Sequence, residues 1–166
     1  ILERGHMVEV DRESLIAGYV GQTAIKTAEK IEEAMGGVLF IDEAYALTEG
    51  KGSQYDFGGE AISTILKRME DNRGKFLVFA AGYTDNMNDF LASNPGLNSR
   101  FDKKLHFEDY TSDQMLEIAK TYLKKEDIIA TQEALDHLKN YFEDLYKNKD
   151  KFFVNARTVR QTVSEA

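Results

Sequence analysis

The sequence has no cysteine, no long hydrophobic run and no excess of basic residues, and each absence excludes a class of protein. Without cysteine in its 166 residues, the chain forms neither a disulfide framework nor a thiolate metal site. The longest apolar runs, at residues 38–41 and 77–81, are far shorter than the ~20 residues that cross a bilayer. The net charge of −8 argues against binding nucleic acid mainly through its phosphates. We expect a soluble, cytoplasmic protein with neither a membrane nor a nucleic acid as partner.

The first residues also lack the basic, apolar and small-residue regions of a signal peptide. They are typical of sequence inside a folded domain, so we expect further sequence upstream. The content of 42% hydrophobic and 11% aromatic residues is enough for a sizeable core. At this length the chain has the size of one domain, or of one domain with a subdomain.

Strand-like and helix-like segments alternate over residues 1–109, which predicts an α/β domain. Helical periodicity appears near residues 23–35, 61–69 and 86–92, and residues 94–100 are expected to form a loop around the only proline. The runs near residues 38–41 and 76–81 are typical of strands buried on both faces of a parallel sheet. Shorter strands are predicted at residues 7–10 and 104–107.

The pattern over residues 110–166 is helical throughout. Ser112 and Thr131 are predicted N-caps of two helices, and a last helix is expected from about Asn155. These segments predict a small all-helical subdomain.

Two adjacent acids, Asp42 and Glu43, end the apolar run at residues 38–41. Ligands of open parallel sheets gather beyond the carboxyl ends of the strands. There the first acid can hold Mg²⁺ while the second orients or deprotonates a water molecule, as nucleotide hydrolysis requires. Strands also end in an acid simply because solvent begins there, so the pair alone leaves both interpretations open.

The acid pair lies in a longer motif, residues 36–45 (GGVLFIDEAY). Three further motifs follow it in the chain: residues 81–83 (AGY), 94–97 (NPGL) and 96–101 (GLNSRF). Together they resemble AAA+ ATPases, in the family of stage V sporulation protein K and the red-type Rubisco activase CbbX. The similarity extends from about Val8 to the end. It implies a P-loop-type parallel sheet followed by a helical lid, with ATP and Mg²⁺ as cofactors. It also implies a hexameric ring that hydrolyses ATP and remodels a protein substrate through its pore.

The same resemblance assigns roles to the nucleotide-site residues. Asp42 and Glu43 match the Walker B acids. Asp42 would contact Mg²⁺ indirectly, and Glu43 would act as the base. Arg100 matches the arginine finger that reaches the γ-phosphate of a neighbouring subunit, a role that suits a permanently charged guanidinium. The alternative is a surface arginine that pairs with Asp102 or Asp109.

Two more segments carry a role through the resemblance. Arg157 resembles the sensor 2 arginine of the lid, with Arg160 one turn away as its rival. Tyr19, Val20 and Gly21 resemble a pore loop, in which an aromatic side chain grips a polypeptide between flexible glycines. The alternative is a buried Tyr19 in an ordinary turn.

The sequence departs from the family pattern at two places. At the sensor 1 position, where many AAA+ proteins have Asn or Thr after the fourth strand, the chain has Gly82-Tyr83-Thr84, and we assign no water-orienting role there. No G-x-x-x-x-G-K-[ST] phosphate-binding loop occurs, and residues 50–53 do not qualify because the spacing is wrong.

In the family the P-loop lies upstream of the matching region, so we expect a chain that either begins after this loop or lacks it. The missing piece should include the first strand, which in the family lies between the strands matching residues 76–81 and 104–107, and the sheet without it is expected to be gapped or rearranged. The 166 residues alone are then expected to be inactive in hydrolysis. The alternative function is a non-catalytic assembly or protein-binding module. His6, His106 and His137 share no metal-ligand spacing.

Overall fold

The computed structural model describes residues 2–19, 21–50, 57–149, 153 and 155–165. The chain divides into two compact units, Ile1–Leu105 and His106–Ala166. The first is α/β and the second is helical, as the sequence predicts. The domain boundary predicted after residue 109 stays a prediction.

Unit 1 alternates strands and helices. In chain order its elements are β1 (Met7–Val10), α1 (Arg12–Leu15), α2 (Gln22–Glu33), β2 (Val38–Ile41), a 3₁₀ helix (Ala44–Thr48), α3 (Gly58–Asp71), β3 (Leu77–Ala80), α4 (Thr84–Ala92) and α5 (Pro95–Arg100). The described strands form a parallel sheet in the order β1-β2-β3, in which Val8 lies opposite Leu39 and Leu39 opposite Val78. The prediction of a parallel α/β sheet is confirmed.

Only one face of this sheet is well buried in unit 1. Leu39 and Ile41 are fully buried in a core to which α2 and α3 contribute Ile31 and Ile65, because both helices present an apolar stripe. On the opposite face the exposed fractions are 60% for Met7, 49% for Leu77 and 45% for Phe79. The prediction that residues 76–81 form a strand buried on both faces is therefore wrong, because α2 and α3 pack against a single face.

The predicted strand at residues 104–107 is also absent, and Leu105 and Phe107 are 74% and 87% exposed. A strand persists only when a neighbour pairs with its backbone groups. In the described ranges no strand pairs with these residues, and none pairs with the outer edge of β3. In the described residues the sheet therefore ends at β3, with no strand on the far side of a gap.

Residues 95–100 form a short helix rather than the predicted loop. The Asn94 side chain accepts a hydrogen bond from the Gly96 amide at 2.8 Å, and Pro95 occupies the first turn. Proline suits that place because the first-turn amides have no partner inside the helix. Leu97, 1% exposed, anchors the helix in the core.

Unit 2 consists of α6 (Ser112–Lys125), α7 (Gln132–Lys147) and α8 (Ala156–Glu165) around a core that includes Met115, Phe142 and Val159. The N-cap of α6 is Thr111 and not Ser112, because Thr111 and Gln114 form a reciprocal capping box. Thr131 caps α7 as predicted. None of the described helices has the length and apolarity needed to cross a membrane.

Candidate nucleotide site

The two acids lie at the carboxyl edge of the sheet, as the sequence predicts. The Asp42 amide donates to the Val10 carbonyl at 2.8 Å, so Asp42 continues the β1–β2 ladder. Glu43 turns the chain with φ 46° and ψ 46°, a left-handed conformation that is uncommon outside glycine. Its amide donates to Asp42 Oδ1 at 3.0 Å, and both side chains are exposed. Carboxylate oxygens are therefore presented to solvent at the point where strand-end ligands bind.

This acidic turn is tied to the end of β3. The Ala81 amide donates to the Ile41 carbonyl at 2.9 Å, and the Ala44 amide donates to the Ala81 carbonyl at 3.0 Å. The two strand ends therefore form one hydrogen-bonded unit.

Tyr45 occupies the space where a side chain at position 82 would lie. A Cβ on Gly82 would be 2.7 Å from Cδ1 of Tyr45 and 2.9 Å from Sδ of Met87. Any side chain at position 82 would therefore need the Tyr45 ring and the end of Met87 to move. Sequence reasoning missed Tyr45, although it lies inside the phrase that carries the resemblance.

The Tyr45 hydroxyl stays neutral beside Glu43. Partial burial raises the pKa of Tyr45 above its usual value, and the hydrogen bond and negative charge of Glu43 raise it further. The ring also lies 6.4 Å from that of Tyr83, centroid to centroid. A neutral phenol can donate a hydrogen bond to a carboxylate, which makes Tyr45 a candidate partner for Glu43.

Arg100 ends α5 and is held by α3. Its Nη2 donates to Oε2 of Glu70 at 3.2 Å, and its Nε is buried without a hydrogen-bond partner. The alternative of pairing with Asp102 is not found in the described part of unit 1. Within unit 2, Asp109 accepts hydrogen bonds from Lys149 and Asn155. Among the described residues of unit 1, no hydrogen bond or ion pair joins Arg100 to Asp42 or Glu43.

Tyr19 is 73% exposed, which argues against a buried aromatic in that turn. Gly21 follows with φ 79°, a conformation that glycine adopts without strain, and caps the start of α2. The predicted pore-loop residue Val20 lies outside the described residues. An exposed ring next to a glycine fits a gripping role, which stays a prediction.

Arg157 and Arg160 lie on α8 in unit 2, and both are exposed. Val159 between them is buried and fixes the helix face. Their geometry within unit 2 does not separate the two candidates for the sensor 2 role, and Arg157 stays the prediction.

The described residues contain no group of His, Cys, Asp or Glu that could by itself hold a metal ion. Magnesium commonly keeps several of its waters and takes one or two protein carboxylates, with substrate phosphates completing its shell. The exposed oxygens of Asp42 and Glu43 fit that limited role. The P-loop motif, whose backbone amides would cradle the phosphates, does not occur in the sequence.

Family models match both parts of the chain. The model described as "ATPase family associated with various cellular activities (AAA)" matches residues 3–109, and the AAA lid domain matches residues 111–166. The chain belongs to the AAA family of ATPases. Its strand-end acids and helical second unit therefore occur in a protein whose relatives are ATPases.

Three similar proteins show which members of the AAA family this chain resembles. Stage V sporulation protein K of Bacillus subtilis is 41% identical over 100% of this chain and 51% of its own length. Protein CbbX of Cereibacter sphaeroides is 42% identical over 99% of the chain and 52% of its length. The chloroplastic ribulose bisphosphate carboxylase/oxygenase activase of Cyanidioschyzon merolae is 39% identical over 99% and 55%. This AAA chain thus spans about half the length of the curated relatives it matches.

Proposed function

We propose that this chain supplies the acidic half of a Mg-ATP hydrolysis site in a AAA module that remodels a protein substrate. The observation that carries the proposal is the position of Asp42 and Glu43, exposed at the carboxyl edge of a parallel sheet in a AAA chain. The match to the AAA family of ATPases supports the hydrolysis of ATP, and the activase among the relatives supports action on another protein. We also place the core–lid boundary after residue 109, in accordance with the two matched regions.

Each acid has a distinct role in this proposal. Bound Mg-ATP would supply the triphosphate and the cation that neutralises its charge. Asp42 would hold the magnesium side through water, and its Oδ1 already fixes the Glu43 amide. Glu43 would accept the proton of the attacking water, which its exposed position allows. Tyr45, packed beside Gly82, would keep the Glu43 carboxylate oriented.

The phosphate-binding loop of the site is proposed to lie outside these 166 residues. The outer edge of β3 is unpaired in the described part of the chain, and the sheet face bearing Met7, Leu77 and Phe79 is exposed. One strand with its following helix would pair with that edge and cover that face. The segment at residues 104–107 would then gain a neighbour and become a strand.

The remaining predicted residues have proposed roles in a ring of subunits. Arg100 would act on the nucleotide of a neighbouring subunit and Arg157 on that of its own, while Tyr19 with Val20 and Gly21 would line a central pore. The exposure of Tyr19 and Arg157 supports these roles. Native mass spectrometry with Mg-ATP should show six-subunit assemblies, and a monomer at all concentrations would contradict the ring.

Calorimetry with Mg-ATP tests the proposal on two samples, the 166-residue chain and the full-length gene product that carries it. We expect binding by the longer protein and none by the shorter one. Binding by the 166 residues would show that the phosphate site is internal. Binding by neither sample would favour the second candidate, a non-catalytic assembly or protein-binding module, which the missing phosphate loop otherwise supports.

A further inference from the structure

Arg100 pairs with a carboxylate that has no role in the proposed site. Its partner Glu70 lies on α3, 30 positions earlier in the chain. The same oxygen, Oε2, also accepts from Nη2 of Arg73 at 3.1 Å. The Glu70 carboxylate therefore pairs with two guanidinium groups of unit 1, those of Arg73 and Arg100.

This ion pair contributes little to the stability of α5. The side chains of Arg100 and Glu70 are 30% and 46% exposed, and pairs so open to solvent are weak. The helix is fixed by other contacts. Leu97 is buried, Asn94 caps the first turn, and a Cβ on Gly96 would lie 2.9 Å from Leu66 of α3. The position of α5 therefore does not depend on the ion pair between Arg100 and Glu70.

What Glu70 does fix is the guanidinium. An arginine side chain has several rotatable bonds but a rigid planar end with five N–H donors. Nε of Arg100 is buried and Nη2 is held by Glu70. Nη1 lies 3.7 Å from the position that a Cβ on Gly96 would take, which is an ordinary contact distance. The donors that remain for a ligand are therefore those of the terminal nitrogens, in one orientation.

We propose that Glu70 is a positioning residue for Arg100, holding the guanidinium in the orientation in which it meets the phosphates of a neighbouring subunit. The inference rests on the proposed function, because Arg100 needs a triphosphate to act on. A catalytic cation that is already oriented before the reaction does not have to lose conformational freedom in the transition state, which lowers the activation free energy. Loss of Glu70 should then lower kcat, and only in proteins that still have Arg100.

The test is a double-mutant cycle on ATP turnover by the full-length protein. Glu70→Ala should lower kcat by roughly fivefold to tenfold, with less than about a twofold change in KM, because the interaction acts in the transition state. In the Arg100→Ala background the same substitution should have no further effect. Glu70→Gln keeps an acceptor oxygen without the charge and should restore part of the rate.

Arg73→Gln is the matched control. Arg73 is the other partner of Glu70, with a 77% exposed side chain, and it has no place in the proposed site, so its loss should leave turnover unchanged. Unchanged turnover of Glu70→Ala would overturn the inference, as would an equal loss with and without Arg100, which would indicate a structural role. A wild-type protein that binds ATP without hydrolysing it would instead refute the proposed function, and the inference would fall with it.

Discussion

Replacing Gly82 with alanine tests the contact that links the end of β3 to the acidic turn. The new Cβ would lie 2.7 Å from Tyr45 Cδ1 and 2.9 Å from Met87 Sδ. The end of a methionine side chain can move at little cost. The Tyr45 ring belongs to the 3₁₀ helix and contacts Tyr83, so it moves only with its surroundings.

The size of the effect follows from two opposing terms. Overpacking a folded site costs about 1–3 kcal/mol, and the alanine recovers about 0.4–1 kcal/mol by restricting the unfolded chain. Gly82 has no positive φ, so backbone strain adds nothing. We expect a net loss of about 1–2 kcal/mol in the free energy of unfolding. At about 2–4 °C per kcal/mol for a chain of this size, Tm should fall by about 2–8 °C.

Urea unfolding followed by tyrosine fluorescence measures this loss. The matched control is Gly59→Ala on α3, where an added Cβ meets nothing within 4 Å, and where we expect unchanged or slightly increased stability. In a Tyr45→Ala background the cost of Gly82→Ala should largely disappear. An undiminished cost in that background, or full stability of Gly82→Ala, would refute the reasoning.

Three further substitutions test other parts of the structure. Leu97→Ala should cost about 2–5 kcal/mol in urea unfolding, because Leu97 is 1% exposed and anchors α5; a loss under 1 kcal/mol would contradict that packing. The raised pKa of Tyr45 means that its neutral form stabilises the fold below pH 10.0, and that this contribution is lost as the pH rises through the folded pKa. Tyr45→Phe should therefore lessen the alkaline loss of stability, and an identical pH profile would count against it. Asp11→Ala should cost about 0.5–2 kcal/mol at neutral pH, because the Asp11 carboxylate caps α1. The hydrogen bonds from Ser14 lower the pKa of Asp11, so the difference from wild type should fade as the pH falls through that folded pKa, and a constant difference would be the contrary result.

Local patterns sufficed for much of the fold. The strand at residues 38–41 and the acids after it follow from one short apolar run and its sudden end. The Thr131 cap and the helical second unit follow from residue types at fixed spacing. The α5 helix was missed because its proline was interpreted as a sign of a loop, whereas Asn94 makes it a first-turn proline.

Features that depend on residues far apart in the chain could not be predicted from local sequence patterns. Residues 104–107 have a strand-like sequence, but whether they pair depends on a neighbouring strand. The exposed face of β3 likewise depends on which elements cover the sheet. Glu70 and Tyr45 carry no motif of their own, and only the folded chain brings them to Arg100 and Glu43.

The most direct test of the account measures ATP hydrolysis and ATP binding together on the full-length protein and its Glu43→Gln variant. We predict that the variant binds Mg-ATP as tightly as the wild type while its turnover falls at least about a hundredfold, because the substitution removes only the base. Turnover by Glu43→Gln at the wild-type rate would contradict the assignment of the β2 acids to the hydrolysis site.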